Sequence, residues 1–173
     1  WISDDGVRSV AALRSTDHLD HAWWGSGAAE FFGESVATGD VNGDGLTDVL
    51  VGEPEGDVAF LFYGHRTESG AGSDGATVTI TGLDRSRFGH DVELVDLDGD
   101  GLDDLIVSAP RDGAGAVHVF LSAAGFDGEL STLDATSTVH APVTVDVGSM
   151  GHSMAVADLT GDGTMDLVLG APN

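Results

Sequence analysis

The sequence predicts an all-β fold of four-stranded antiparallel blades, about three to the chain, with both ends cut in mid-blade. Three observations lead there. The 26 glycines outnumber the 4 prolines, the balance of many short strands joined by tight turns. One cassette recurs three times without a gap, over Phe32 to Pro54, Phe88 to Pro110 and Met150 to Pro172. In each copy an acidic loop separates a short alternating stretch from an apolar, largely β-branched run. The first loop aspartates, Asp40, Asp96 and Asp158, stand 56 and then 62 residues apart. That spacing suits a four-stranded unit and exceeds most helical repeats.

The elements follow in order. A strand such as Ser35-Val36-Ala37-Thr38 precedes the loop. After it come Val49-Leu50-Val51, Leu105-Ile106-Val107 and Leu167-Val168-Leu169, runs that suit strands buried on both faces. Val58 to Tyr63 with Thr77 to Thr81 fill the first spacer, and Ala116 to Leu121 with Ser137 to His140 the second. The whole chain, 1–173, reads as a single repeat domain. Its first residues, 1–29, are expected to complete a blade shared with another copy. Asp4-Asp5-Gly6-Val7-Arg8-Ser9-Val10 is similar to the Asp112 to Val119 stretch that follows Pro110, so the end of one copy runs naturally into the start of the next. A chain opening at Trp1 reads as a processed mature protein or a piece of something longer.

At 41% apolar and 21% charged residues, the composition is that of a globular chain. Thirty acidic residues against six basic ones give a net charge of -24, a field that repels nucleic acid and anionic membrane surfaces. Bound divalent cations would relieve that field. With no cysteine, thiolate metal sites and disulfides are excluded. The longest apolar run, Val58 to Tyr63, is too short to cross a bilayer.

The loops are Asp40-x-Asn42-x-Asp44-Gly45-x-x-Asp48, Asp96-x-Asp98-x-Asp100-Gly101-x-x-Asp104 and Asp158-x-Thr160-x-Asp162-Gly163-x-x-Asp166. Calcium takes six to eight oxygens in loose geometry, and alternate positions of a tight turn converge such oxygens on one point. Side chains at positions 1, 3, 5 and 9 are the expected ligands, with the backbone carbonyl of Leu46, Leu102 or Thr164 at position 7. That makes three calcium sites per chain. An EF-hand needs a glutamate at position 12; here Val51, Val107 and Leu169 stand there, inside strand-like runs. Magnesium, which demands tighter octahedral geometry, fits less well.

These cassettes resemble FG-GAP repeats, the blades of the integrin α-subunit propeller and of many bacterial secreted proteins. The likeness rests on Phe32-Gly33 and Phe88-Gly89, on the three loops, and on Gly170-Ala171-Pro172. Met150 departs from the pattern in the third cassette, and Gly52-Glu53-Pro54 and Ser108-Ala109-Pro110 vary its last signature. The resemblance implies a β-propeller-type fold and a cell-surface or secreted location. The family closes a ring of about seven blades, whereas this chain holds about three. Copies that complete each other's blades, in a ring or a filament, would resolve the shortfall.

Other motifs carry less. Gly70-Ala71-Gly72-Ser73-Asp74-Gly75 matches a dinucleotide fingerprint but leads into a strand instead of a helix. His18 and His21 lack a third zinc ligand and read as a solvated loop. His90 and His152 share one cassette position and so read as a structural slot. Asp103 sits beside Asp104 as an acid/base pair would, but the metal accounts for Asp104. Trp1, Trp23 and Trp24 either stack on a sugar or are buried at a blade or subunit interface. The expected function is structural or adhesive, with calcium as cofactor, self-association, and no catalysis. A lectin-like or integrin-like ligand module (protein or glycan), or an accessory domain of a secreted enzyme, are the rivals. Because Thr160 offers a neutral hydroxyl where Asn42 and Asp98 stand, the third loop should bind calcium most weakly. Calorimetric titration should resolve one weaker site; three equal sites would contradict this.

Overall fold

The structure, a computed structural model, describes residues 9–15, 18–25, 30–64, 70–71, 75–123, 125–142 and 148–172. In chain order the strands are β1 (Ser9–Ser15), β2 (His18–Trp24), β3 (Val36–Gly39), β4 (Asp48–Glu53), β5 (Val58–Phe62), β6 (Gly70–Ala71), β7 (Val78–Thr81), β8 (Val92–Val95), β9 (Asp104–Ala109), β10 (Ala116–Phe120), β11 (Gly128–Ser131), β12 (Ser137–His140), β13 (Ser153–Ala157) and β14 (Asp166–Gly170). The protein is all-β, and the strands expected from the sequence are present to within a residue or two. Residues 1–8, which carry Trp1 and most of the stretch resembling Asp112 to Val119, lie outside the described residues.

Each acidic loop closes an antiparallel hairpin in the same register. Gly39 pairs with Asp48, Val95 with Asp104, and Ala157 with Asp166, so the ninth loop residue is also the first residue of the second strand. Two complete blades follow: β3-β4-β5-β7 and β8-β9-β10-β12. The third cassette contributes the pair β13-β14.

Two short strands were not foreseen. β11 leaves the connection between β10 and β12 and pairs parallel with β7, adding a fifth strand to the first blade. β6 leaves the connection between β5 and β7 and pairs parallel with β2, extending the β1-β2 hairpin. Each blade thus lends a strand to the outer edge of the sheet before it, and so covers an otherwise open row of backbone groups.

The period-2 alternation of the strands sends neighbouring residues to opposite blades. Leu50, Leu61, Val78 and Ile80 of the first blade meet Phe88, Val92, Leu105 and Val107 of the second. On the far face of the first blade, Val49, Val51, Phe60 and Phe62 pack with Phe32 and Trp23. Trp23 stacks at 4.7 Å on Phe62, so this tryptophan is a core residue. Ile106, Val117 and Val119 carry the packing on to Met154, Val156, Leu167 and Leu169. Being covered on both sides is why β4 and β9 are buried along their whole length. It is also why their sequences are unbroken apolar runs.

The cassette glycines seal the end opposite the loops. The Gly33, Gly89 and Gly151 amides donate to the carbonyls of Gly52, Ser108 and Gly170 at 2.8, 2.9 and 3.0 Å. All three glycines hold positive φ, which a side chain resists. At the first seam a Cβ on Gly52 would stand 1.9 Å from the Gly89 carbonyl oxygen.

Glu53 strains this seam. It is 5% exposed, and its Oε2 has no hydrogen-bond partner among the described residues. Burial, helped by nearby Glu30, pushes its carboxyl up to about 7. The other cassettes carry Ala109 and Ala171 at this position. A raised pKa means the fold favours the protonated acid. Stability is therefore full below the ordinary glutamate value and falls as pH rises from there through about 7. Glu53→Ala should flatten that decline and raise the melting temperature at pH 8 more than at pH 4.5. Thermal melts of both proteins at the two pH values check it; an equal shift at both would refute the assignment.

Candidate metal centre

The loops are pre-shaped by their own amides. In the first, Gly43 and Gly45 donate to the two oxygens of Asp40 (2.8 and 3.0 Å), Asp44 to Asn42 Oδ1 (2.9 Å), and Leu46 to Asp44 Oδ1 (2.8 Å). The second repeats the pattern: Gly99 and Gly101 to Asp96 (2.7 and 3.0 Å), Asp100 to Asp98 (3.1 Å), Leu102 to Asp100 (2.9 Å). In the third, Gly161 and Gly163 donate to Asp158 (2.6 and 2.9 Å), and Thr164 bonds to Asp162 through its amide (2.9 Å) and its hydroxyl. Glycines at positive φ (Gly43 and Gly45, Gly99 and Gly101, Gly161 and Gly163) let the backbone turn tightly enough for these contacts.

The ninth-position carboxylates are the anchors. Asp48 and Asp104 are fully buried. Asp48 Oδ2 accepts the Val41 amide and Oδ1 the Gly64 amide, both at 2.9 Å. Asp104 Oδ2 accepts the Leu97 amide (2.9 Å) and Oδ1 the Ser122 amide (2.7 Å). Each carboxylate so ties its loop to the end of the third strand of its blade. Gly64 and Ser122 lie far along the chain, and the cassette gives no signal of them. Burial raises both carboxyls above the usual aspartate range, and these amides oppose the rise. A bound cation would oppose it further.

Asp96, Asp98 and Asp104 bring carboxylate oxygens within 4.8 Å of one another, a group able to hold a metal ion. The donors are all oxygens, the set a hard cation takes. At the third loop Asp158 is exposed, and the Gly163 amide holds its carboxyl below the usual range. The Thr164 hydroxyl does the same for Asp162. Asp166 is half-buried, unlike its fully buried counterparts. Val51, Val107 and Leu169 lie within strands, which removes any EF-hand geometry.

Residues outside the loops also find places. Asp103 Oδ2 accepts the Asp40 amide (2.7 Å) and the Asp103 amide donates to the Asp40 carbonyl (3.0 Å), clasping the first two loops together. At the corresponding position the third loop has Met165. Glu34, His90 and His152, one cassette position in three successive blades, meet in a row. Glu34 Oε1 lies 3.0 Å from His90 Nδ1, and the two imidazoles are 4.8 Å apart edge to face. Burial lowers the His90 imidazole, with Glu34 pulling the other way. The expected structural slot is thus an inter-blade contact. His18 and His21 fall in β2 and not in a loop; their side chains lie outside the described residues, as does that of Trp24. Gly70 and Ala71 enter β6, and the next described element is the strand β7 instead of a helix.

Residues 32–77 match the FG-GAP repeat family and residues 96–169 the FG-GAP-like repeat family. Integrin alpha-PS5 of Drosophila melanogaster is 36% identical over 161 residues, covering 88% of this chain and 16% of the relative. Integrin alpha-5 of Xenopus laevis is 33% identical, covering 82% of this chain and 14% of the relative. Integrin alpha-PS3 of Drosophila melanogaster is 31% identical, covering 90% and 15%. The chain is an FG-GAP repeat protein of the integrin α-like kind, and it spans about one sixth of the length of these relatives. Among the described residues no helix is long and apolar enough to cross a membrane.

The loop contacts separate two roles. Asp104→Ala strands the Leu97 and Ser122 amides and should lower stability by about 1–3 kcal/mol even in chelator. Asp98→Ala, at an exposed position, should leave the chelated protein within about 0.5 kcal/mol while weakening calcium binding. Urea unfolding with and without EGTA checks both; equal losses in EGTA would refute the division.

Proposed function

We propose that the chain is a calcium-stabilised extracellular binding and assembly module rather than an enzyme. The observation that carries this reading is the threefold repetition of one loop geometry at one hairpin register, with a triad of carboxylates already gathered in the second. Asp40, Asn42, Asp44 and Asp48 would hold the first ion with the Leu46 carbonyl. Asp96, Asp98, Asp100 and Asp104 would hold the second with the Leu102 carbonyl. Asp158, Thr160, Asp162 and Asp166 would hold the third with the Thr164 carbonyl. When bound, calcium supplies positive charge that offsets carboxylate repulsion and burial.

The anchoring aspartates give that charge a structural consequence. Each joins the loop to two strands, so an ion that favours the ionised carboxylate stabilises the whole blade. Self-association is the second part of the proposal. Blades that present open strand edges pair head to tail with further copies, closing a ring or running on as a filament. The named relatives are integrins, which favours the alternative of a protein-ligand module of the same fold. Trp23, packed on Phe62, is taken up by the core and lends no support to sugar stacking by that residue.

Light scattering of the chain in calcium and in excess EGTA tests the reading. Assemblies that dissociate on chelation are expected. A monomer in both conditions would remove self-association, and unchanged melting in calcium and EGTA would remove the metal.

A further inference from the structure

The chain holds two asparagines, Asn42 and Asn173, and Asn42 is followed by a glycine. Both Asn42 and Gly43 lie in the first acidic loop, Asn42 half-buried and Gly43 exposed. Glycine has no side chain to shield its amide nitrogen, so that nitrogen can attack the asparagine side chain and close a cyclic imide. The bond formed joins the Gly43 nitrogen to Asn42 Cγ. The Cγ–Nδ2 bond breaks, and ammonia leaves with the proton that the Gly43 nitrogen gives up. Water then opens the imide. Cleavage at Cγ leaves aspartate, and cleavage at the Asn42 carbonyl carbon leaves isoaspartate.

The folded loop opposes this attack. The Gly43 amide donates to Asp40 Oδ1 at 2.8 Å, and Asn42 Oδ1 accepts the Asp44 amide at 2.9 Å. Neither group turns toward the other without giving up its bond. The carboxylates of Asp40 and Asp44 also disfavour the negative charge that the attacking nitrogen acquires. The second loop shows what an aspartate does at this position. Asp98, the counterpart of Asn42, accepts the Asp100 amide at 3.1 Å, and Gly99 keeps its bond to Asp96 at 2.7 Å. The loop thus holds one shape with either residue. Asp98 also joins Asp96 and Asp104 in the carboxylate group able to hold a metal ion. In the first loop the counterparts of that group are Asp40, Asp48 and the amide of Asn42.

We propose that Asn42 is a deamidation site gated by the first acidic loop. Closed and loaded with calcium, the loop preserves the asparagine; opened, it releases Asn42 to react. The aspartate product gives the first loop the carboxylate set of the second. It tightens the hold on calcium, because affinity rises with the charge of the ligands. The isoaspartate product routes the main chain through Cγ and so adds a methylene ahead of Gly43. That draws the Gly43 and Gly45 amides off Asp40 and loosens the site. The calcium part of the gate rests on the metal reading above, and the hydrogen-bonded part does not.

Peptide mapping by mass spectrometry tests the gate on the full chain, held at mildly alkaline pH in calcium, in EGTA, and in urea with EGTA. Enzymatic methylation of isoaspartate separates the two products. Conversion at Asn42 should be slowest in calcium, faster in EGTA, and about tenfold or more faster in urea than in calcium. Equal rates in calcium and urea, or no conversion even in urea, overturn the proposal. A rate in EGTA that equals the rate in calcium but stays below that in urea overturns the metal's part and leaves the hydrogen-bonded gate standing. Calorimetry of Asn42→Asp should show one calcium site tightened about tenfold. A titration unchanged from the parent overturns the gain assigned to the aspartate. No calcium binding by parent or variant overturns the metal reading itself, and the contrast between EGTA and urea then decides the gate alone.

Discussion

Two buried carboxylates hold the architecture of the complete blades together. Asp48 and Asp104 each accept one amide from their own loop and one from the end of the third strand. A carboxylate in that position fixes three pieces of backbone at once, which an apolar residue of similar size cannot do. Its burial is unfavourable for the ionised form, and two amides offset only part of that. The remaining imbalance faces the loop, where further aspartates converge. The two residues that hold the fold are therefore also the ones whose ionised form a cation in the loop would favour.

The blades are stacked by a different force. Alternate residues of β4 and β9 point into successive interfaces, and the cores of those interfaces are apolar. Polar contacts are placed at the rims: Asp103 with Asp40 at the loop end, and at the opposite end Glu34 with Arg87 and His90. A third, Asp91, accepts the Ser35 hydroxyl and the Met154 amide and so touches both neighbouring blades. The second interface lacks an aspartate at Met165, and an open cleft of about 290 Å³ lined by Asp96, Asp103 and Met165 remains there.

Much of this was legible in the residues. The strands around each loop follow from alternation and apolar runs, because period 2 is a local property of a pleated chain. The loop register follows from Asp and Gly spacing, because hairpin closure is also local. The parallel strands β6 and β11 were not legible. Gly70-Ala71 and Gly128-Glu129-Leu130-Ser131 have no strand pattern of their own and pair only because a neighbouring edge is at hand.

By itself, the sequence determined the repeat, which shows when its copies are aligned, and the hairpins and oxygen-rich loops, which depend on residues close to one another along the chain. Tertiary structure alone decided that Gly64 and Ser122 support the loops, that Trp23 belongs to the core, and that Asp166 is less buried than Asp48 and Asp104. Those outcomes depend on which strand lies beside which, and burial is set by neighbours that the chain brings together only when it folds.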